Sequence, residues 1–289
     1  MADQGKPLTA TPRSRPVPRR SSRTRPDVAT FLGLILAFGG IVGGLIMEGG
    51  RLKDISQITA AIIVLGGTCG AVMVSTPMNV LIGAARRLIH VFLDKIETPD
   101  AVIEELIGYA ASARRSGLVA LEDEAMQVQD PFLRKALNLA VDGTDLQEIR
   151  NMMQLEIELS ENQGLAEAHV FECAGGYSPT IGIIGAVMGL IQVMKNLANI
   201  EEVGHGIAIA FVATVYGVGL ANVVLLPVST KIKARIESET SLKELKLEGV
   251  VGIVEGMNPK LIRHKLEAYQ RQSNKAEDAG GRGRREAAA

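Results

Sequence analysis

The sequence predicts an all-α membrane protein, with four transmembrane helices joined to a helical cytoplasmic domain. Two observations predict that class. Mean hydropathy is positive, +0.18, although 22% of the 289 residues are charged, so charge and apolar surface are segregated along the chain. Four stretches contain no Asp, Glu, Lys or Arg: Val28–Met47 (20 residues), Ile55–Ala85 (31), Cys173–Met194 (22) and Val203–Thr230 (28). A helix crosses the hydrocarbon core with about 20 mostly apolar residues, and core helices of soluble proteins are normally shorter. The same segregation excludes a disordered chain, and a net charge of −1 gives no basic excess for nucleic acid.

The spans are predicted at 28–48, 56–77, 174–195 and 204–227. The first is not a signal peptide: it begins late, is too long for an h-region, and has no small-x-small site before Glu48. Basic flanks set the orientation. Residues 1–27 carry seven Lys or Arg, Arg86, Arg87 and Lys95 follow span two, and Lys231, Lys233 and Arg235 follow span four. In the two short links Arg51 and Lys53 are balanced by Glu48 and Asp54, and Lys195 is outweighed by Glu201 and Glu202. Both termini and the middle segment therefore lie in the cytoplasm, which an even number of spans requires.

The predicted organisation is a disordered basic arm (1–27), spans one and two (28–85), a cytoplasmic helical domain (86–172), spans three and four (173–230), a cytoplasmic helical tail (231–272) and a disordered end (273–289). The middle segment has 8 basic and 17 acidic residues, a net of −9, and the part from 229 a net of +4, so the two are suited to packing together or to different partners. Apolar periodicity predicts helices over 83–96, 99–115 (Thr98 as cap and Pro99 at the first helical position), 118–129 (stopped by Asp130-Pro131), 146–162 (Asp145 as cap, Glu148 completing a capping box), 241–256 and 259–271.

No catalytic constellation is visible, which argues against an enzyme and calls for no cofactor and no metal. His90, His169, His205 and His264 are scattered singly, and Cys69 and Cys173 fit neither a disulfide framework nor a metal spacing. The pairs among Gly39, Gly40, Gly43 and Gly44, Gly66/Gly70 and Gly185/Gly189 are small-xxx-small patterns that let helices approach closely. An ion pump needs a titrating group within the membrane, yet Glu48, Glu172 and Lys195 stand only at span ends. If ions move, another chain supplies the carboxylate. The polar residues at depth include Thr180, Thr214 and Asn222. Pro179 lies inside span three and Pro227 ends span four; each is read as a kink or helix-end residue, and a kink frees carbonyls that must face protein or water. Pro179 and Ala186 share a helix face, and Thr214 and Asn222 lie within about 80° of each other, so both faces are candidates to line an ion path.

Five motifs in register carry a resemblance. Met47-Glu-Gly-Gly, Leu65-Gly-Gly-Thr-Cys-Gly70, Arg114-Arg-Ser-Gly-Leu-Val-Ala-Leu-Glu122, Tyr177-Ser-Pro-Thr-Ile-Gly-Ile-Ile-Gly-Ala-Val-Met-Gly-Leu190, and Ala213-Thr-Val-Tyr-Gly217 followed by Pro227 resemble the A subunit of the bacterial flagellar motor stator, the MotA/PomA family. The similarity runs through about residues 28–270. It implies a multi-pass protein of the bacterial inner membrane, a homo-oligomeric ring around a single-span B subunit. That subunit would bring the ion-binding aspartate and a peptidoglycan anchor, and a rotor switch protein would receive the torque. By motif, Arg114 and Glu122, with Arg115 beside them, match charged residues that engage the rotor. Pro179 and Pro227 match two torque-related prolines, and Thr214 a threonine facing the aspartate. Sodium-driven relatives have Thr where this chain has Ala186, which implies proton drive, since a dehydrating sodium ion needs oxygen ligands. Two other readings are an energiser of the TolQ/ExbB type, which resembles this family in the last two spans, and a scaffold or small-solute carrier working alone. The basic arm is a topology signal or a contact with anionic membrane lipid.

Overall fold

The computed structural model of the chain describes residues 24–26, 28–91, 93–95 and 97–271. The first membrane-length helix is α1 (Val28–Met47), an apolar rod whose residues Thr30–Met47 are not buried inside the chain. A turn through Gly49, at φ 81°, and a short helical turn at Leu52–Ile55 lead to α2 (Ile58–Ser75), which holds a π-turn at Ile62–Gly66. Next come α3 (Met78–Val91), α4 (Pro99–Ser116), a 3₁₀ turn at Leu118–Leu121, α5 (Glu122–Gln127) and α6 (Pro131–Val141). Two very long helices follow, α7 (Leu146–Lys195) and α8 (Ile200–Val254), and the described chain ends in α9, residues 259–271.

Four helices, α1, α2, α7 and α8, are long and apolar enough to cross a membrane. Periodicity predicts a helix at 146–162 and the charge-free run a separate one at 174–195, but α7 is one helix of 50 residues, about 75 Å long. Between the two only Gly164 weakens helix propensity, and its missing Cβ makes room for Ile236 of α8. Likewise α8 does not end at Pro227. A π-turn at Leu220–Leu225 precedes the proline, a local adjustment of the kind that lets helices carry Pro through a membrane, and helix continues for 29 residues from Leu226.

The expectation for 1–27 as a disordered arm needs correction at its end, because Thr24–Pro26 pair antiparallel with Leu93–Lys95, Arg25 opposite Asp94. That pairing also accounts for helix α3 stopping before the predicted 96. Residues 1–23, 27 and 273–289, the rest of the two predicted disordered arms, lie outside the described residues.

Beyond the membrane, α4, the 3₁₀ turn, α5, α6 and α9 pack around the first turns of α7 and the last turns of α8. Leu106, Leu121, Leu133, Leu137, Ile149, Met153, Ile262 and Leu266 are fully buried there. Gly249 lets α4 approach: a Cβ on it would stand 2.5 Å from Leu106 Cδ1. Capping sets the entry of two helices. Asp130 accepts from Leu133 N (2.9 Å) with Pro131 at the first position of α6, and Asp145 accepts from Gln147 N (2.9 Å) to start α7. Thr98 stands at the cap of α4 through its backbone and makes no side-chain cap bond.

One buried cation joins three elements of this domain. The Lys246 side chain on α8 is 4% exposed; its ammonium donates to Glu97 (2.7 Å) and to the Asp130 carboxylate at the start of α6. Burial alone would raise the Asp130 pKa, but the Lys246 bond and the amides of Leu133 and Phe132 hold it below the usual carboxylate value. A carboxyl with a depressed folded pKa adds stability above its unfolded value, about 3.9, and loses it as pH falls through the folded one. Lys246→Met should therefore lower stability by about 2–3 kcal/mol at pH 7, less than for a fully enclosed pair because both carboxylates are partly exposed. In thermal unfolding of the purified chain the deficit should shrink below about pH 4, where the Asp130 carboxyl takes up its proton.

Candidate functional site

The predicted residues fall into two groups. In the first, Arg114 and Arg115 occupy the last turn of α4, Gly117 turns the chain at φ 85°, and Glu122 opens α5 after the 3₁₀ turn. All three side chains are exposed. The turn is anchored from beneath: Leu121 is fully buried, and the Ser112 hydroxyl donates to Glu124 (2.6 Å), tying α4 to α5. Arg115 Nε donates back to the Ala111 carbonyl (3.1 Å). The result is a rigid helix–turn–helix edge that presents two guanidinium groups and an acidic first turn to solvent.

The second group lies on the paired membrane helices. Pro179 and Ala186 are half-buried on α7, and Thr180 is exposed beside them. On α8 Thr214 is half-buried, while Asn222, within the π-turn, and Pro227, just past it, are exposed. The polar side chains bond to their own helices: Thr180 Oγ1 donates to the Tyr177 carbonyl (2.7 Å), Thr214 Oγ1 to Ala210 (3.1 Å) and Asn222 Nδ2 to Val218 (2.9 Å). The hydroxyl oxygens keep lone pairs with which to accept. Around them Ile183, Ile184, Val187, Leu190 and Met194 form a wide exposed apolar wall. Nothing joins the two groups directly. From Ile157, in the core of the outer domain, to Pro179 is 22 residues of unbroken helix, about 33 Å.

The residues that hold this site together are ones that sequence patterning underrates. Gly182 and Gly217 bring the backbones of α7 and α8 into contact; a Cβ on Gly217 would lie 2.6 Å from the Ser178 carbonyl, and one on Gly182 2.9 Å from that of Ala213. Gly189 and Gly206 repeat the contact further along. Buried Ser178 donates to the Gly217 carbonyl (2.9 Å), and buried Ser229 to that of Ala168 (3.0 Å). The signal was the small-residue run at 182, 185 and 189, of which only Gly185/Gly189 is a four-residue pair. By contrast Gly39, Gly40, Gly43, Gly44, Gly66 and Gly70 meet nothing within 4 Å in this chain, so the close approach predicted there does not occur within one copy. Tyr216 ties α8 to the link before α2 by donating to the Ile55 carbonyl (2.6 Å). Where α7 leaves the apolar stretch, Glu172 takes both Lys233 of α8 (2.6 Å) and the His169 ring (3.2 Å), whose other nitrogen is 3.3 Å from Cys173 Sγ. No cluster of His, Cys, Asp or Glu fit for a metal lies among the described residues.

Residues 124–245 match the model of the MotA/TolQ/ExbB proton channel family, and 31–114 match Motility protein A N-terminal, which covers the first two membrane helices. This chain belongs to the MotA/TolQ/ExbB proton channel family. Within it, motility protein A of Bacillus subtilis is 37% identical over 247 residues, spanning 84% of this chain and 90% of that protein. Two solved structures share the fold. The chain from C. jejuni MotAB superposes with a TM-score of 0.80 at 33% identity, covering 84% of this chain and 95% of its own. The flagellar MotAB stator complex from Bacillus subtilis gives 0.77 at 34%, covering 83% and 95%. All of α7, and α8 as far as residue 245, lie in the channel-family segment.

The glycine contacts make a sharp prediction. Gly217→Ala should destabilise the membrane hairpin by about 1–3 kcal/mol, because the added methyl meets backbone that cannot yield. Gly33→Ala, with nothing within 4 Å, should be neutral. Thermal unfolding of the two variants in detergent checks the difference.

Proposed function

We propose that this chain is the A subunit of a flagellar stator, and that it couples inward proton flow to torque on the rotor. The observation that carries this is a membrane hairpin of the MotAB type in a chain whose four predicted spans hold no acidic residue at depth, Glu48 standing at the end of the first. The chain supplies walls, and a single-span B subunit supplies the ion-binding aspartate and the peptidoglycan anchor. Several copies of this chain surround that subunit, with the exposed apolar wall around Pro179 and Ala186 turned toward it. The family is one of channels, which accords with a role without enzymatic turnover.

The Thr214 hydroxyl already donates to the Ala210 carbonyl, so toward a partner it acts as an acceptor. It can accept a hydrogen bond from the O–H of a protonated carboxyl and so favours the protonated state over a bare carboxylate. Ala186 offers no oxygen at its level, which agrees with protons and not with a dehydrated sodium ion. Thr180 and Asn222 border the same path, and Pro179 and Pro227 place carbonyls without their usual helix partners along it. Arg114, Arg115 and Glu122 meet the rotor switch protein. Exposed charges add little stability, but they steer and register two moving surfaces. The basic flanks support a cytoplasmic position for this domain and for both termini. The TolQ/ExbB reading shares the channel segment but leaves the match of residues 31–114 unexplained, and the lone carrier offers no titrating group.

Arg114→Glu should cut swimming speed at least several-fold while the protein still reaches the membrane; unchanged swimming removes the rotor assignment. Proton leak should require coexpression of a B subunit with its membrane aspartate, and swimming should persist without sodium and stop with a protonophore. Leak through this chain alone overturns the stator reading, and swimming that needs sodium but survives a protonophore overturns proton drive.

A further inference from the structure

One face of α7 stays uncovered along almost its whole length. Outside the membrane stretch Met152, Leu155 and Leu159 are 41%, 55% and 61% exposed, at steps of three and four residues. The same steps continue through Ala166, Cys173 and Gly176, of which only Cys173 is half-buried, to Ile183, Val187 and Leu190 of the exposed wall. Asn162, His169 and Thr180 are the polar members of the row. Alternating steps of three and four keep side chains on one stripe, the spacing with which a second helix packs along the first. The other faces of α7 are taken: Ile149, Met153 and Ile157 lie in the core of the outer domain, and Ser178, Gly182 and Gly189 lie against α8.

Lipid cannot cover the outer part of this stripe. Leu159 and Met152 precede Ala174, where span three is predicted to begin, by about 22 and 33 Å along the helix. Large apolar side chains set in a row against water mark a contact surface, and the charges beside them say of which kind. Glu148 and Glu158 are exposed and form no ion pair among the described residues, while Glu156 already holds Lys135. The only Lys or Arg in 146–172 is Arg150, which is held by Glu248. An apolar stripe edged by carboxylates fits a helix whose own apolar stripe is edged by Lys or Arg. The same stripe of a second copy would set carboxylate against carboxylate. Residues 1–23 of this chain are basic, but Met1, Leu8 and Val17 are their only large apolar residues, too few to cover it.

We propose that the outer stripe of α7 docks the cytoplasmic end of the B subunit, as a basic amphipathic helix that continues the membrane helix lying along the α7 wall. The proposal rests on the stator reading. A single-span subunit anchored outside has its other end in the cytoplasm, and that flank of a span is the one that carries Lys and Arg. The docked segment runs along α7 from Gly176 to Met152, with its apolar face on Leu155 and Leu159 and its cations toward Glu148 and Glu158. One helix thereby engages both the membrane hairpin and the outer domain.

The test places photoreactive benzoylphenylalanine at position 155 or 187 of the full-length chain, coexpressed with a B subunit. Adducts formed in intact cells are identified by mass spectrometry. Both positions should capture the B subunit, position 155 through residues that precede its membrane helix. Glu148→Lys combined with Glu158→Lys should lower the adduct at 155 at least about ten-fold, as like charges then face each other. The adduct at 187 should be unchanged, which shows that the variant is folded and assembled. Capture at 187 without capture at 155, or an undiminished adduct at 155 in the double reversal, overturns the docking and leaves the stator reading standing. So does capture at 155 of residues 1–23 of this chain or of α7 from a second copy. Failure to capture the B subunit at either position removes the stator reading and this proposal with it.

Discussion

Backbone contact between α7 and α8 at Gly182 and Gly217 is the constraint on which the rest of the molecule depends. In lipid there is no hydrophobic force to drive helices together, so close packing and interhelical hydrogen bonds must do it. Glycines remove the side chains that would keep the two axes apart, and Ser178 and Ser229 then reach across to carbonyls of the opposite helix. Any Cβ at Gly217 would meet main chain, which cannot rotate aside. The register of the hairpin is thereby set, and with it the positions of Pro179, Ala186 and Thr214 relative to one another.

The same two helices carry that register out of the membrane. Each continues without a break into the outer domain, where Arg150 meets Glu248 (2.6 Å) and Lys246 gathers Glu97 and Asp130. The ends of both helices are held in the close-packed interior of that domain, so the hairpin and the domain share one rigid connection. Pro227 does not interrupt α8. The π-turn before it accommodates the ring locally and leaves the helix to run on.

Charge is distributed to suit this plan. The membrane stretches are empty of it, ion pairs such as Arg87–Glu167 and Lys233–Glu172 stand where the long helices emerge, and the free charges Arg114, Arg115 and Glu122 sit on an edge far from the membrane. A net charge near zero is the sum of these separate populations and describes none of them. The acidic middle segment and the basic later one meet in pairs such as Arg263–Glu104 and Lys246–Asp130, so their opposite signs are used in part to hold one domain together.

Most of the architecture was legible because it is written in local pattern. The absence of charge over 20 or more residues marks a span whatever its neighbours are, and the spacing of Leu106, Tyr109 and Ala110 or of Leu133, Ala136 and Leu137 marks a buried helix face. The end of the helix at Gly117, just after Arg114 and Arg115, was likewise readable. Helix ends within α7 and α8 were not, since a breaker residue is only a bias, and tertiary contacts between Gly164 and Ile236 favour continuation. Nor could a glycine's partner be read: Gly43 and Gly217 look alike in sequence, and only the second faces another backbone. The sequence by itself determined which segments enter the membrane, because burial in lipid is a property of each segment's own side chains. Which faces of those segments meet was decided by tertiary structure alone, because contact depends on pairs of surfaces that no single segment specifies.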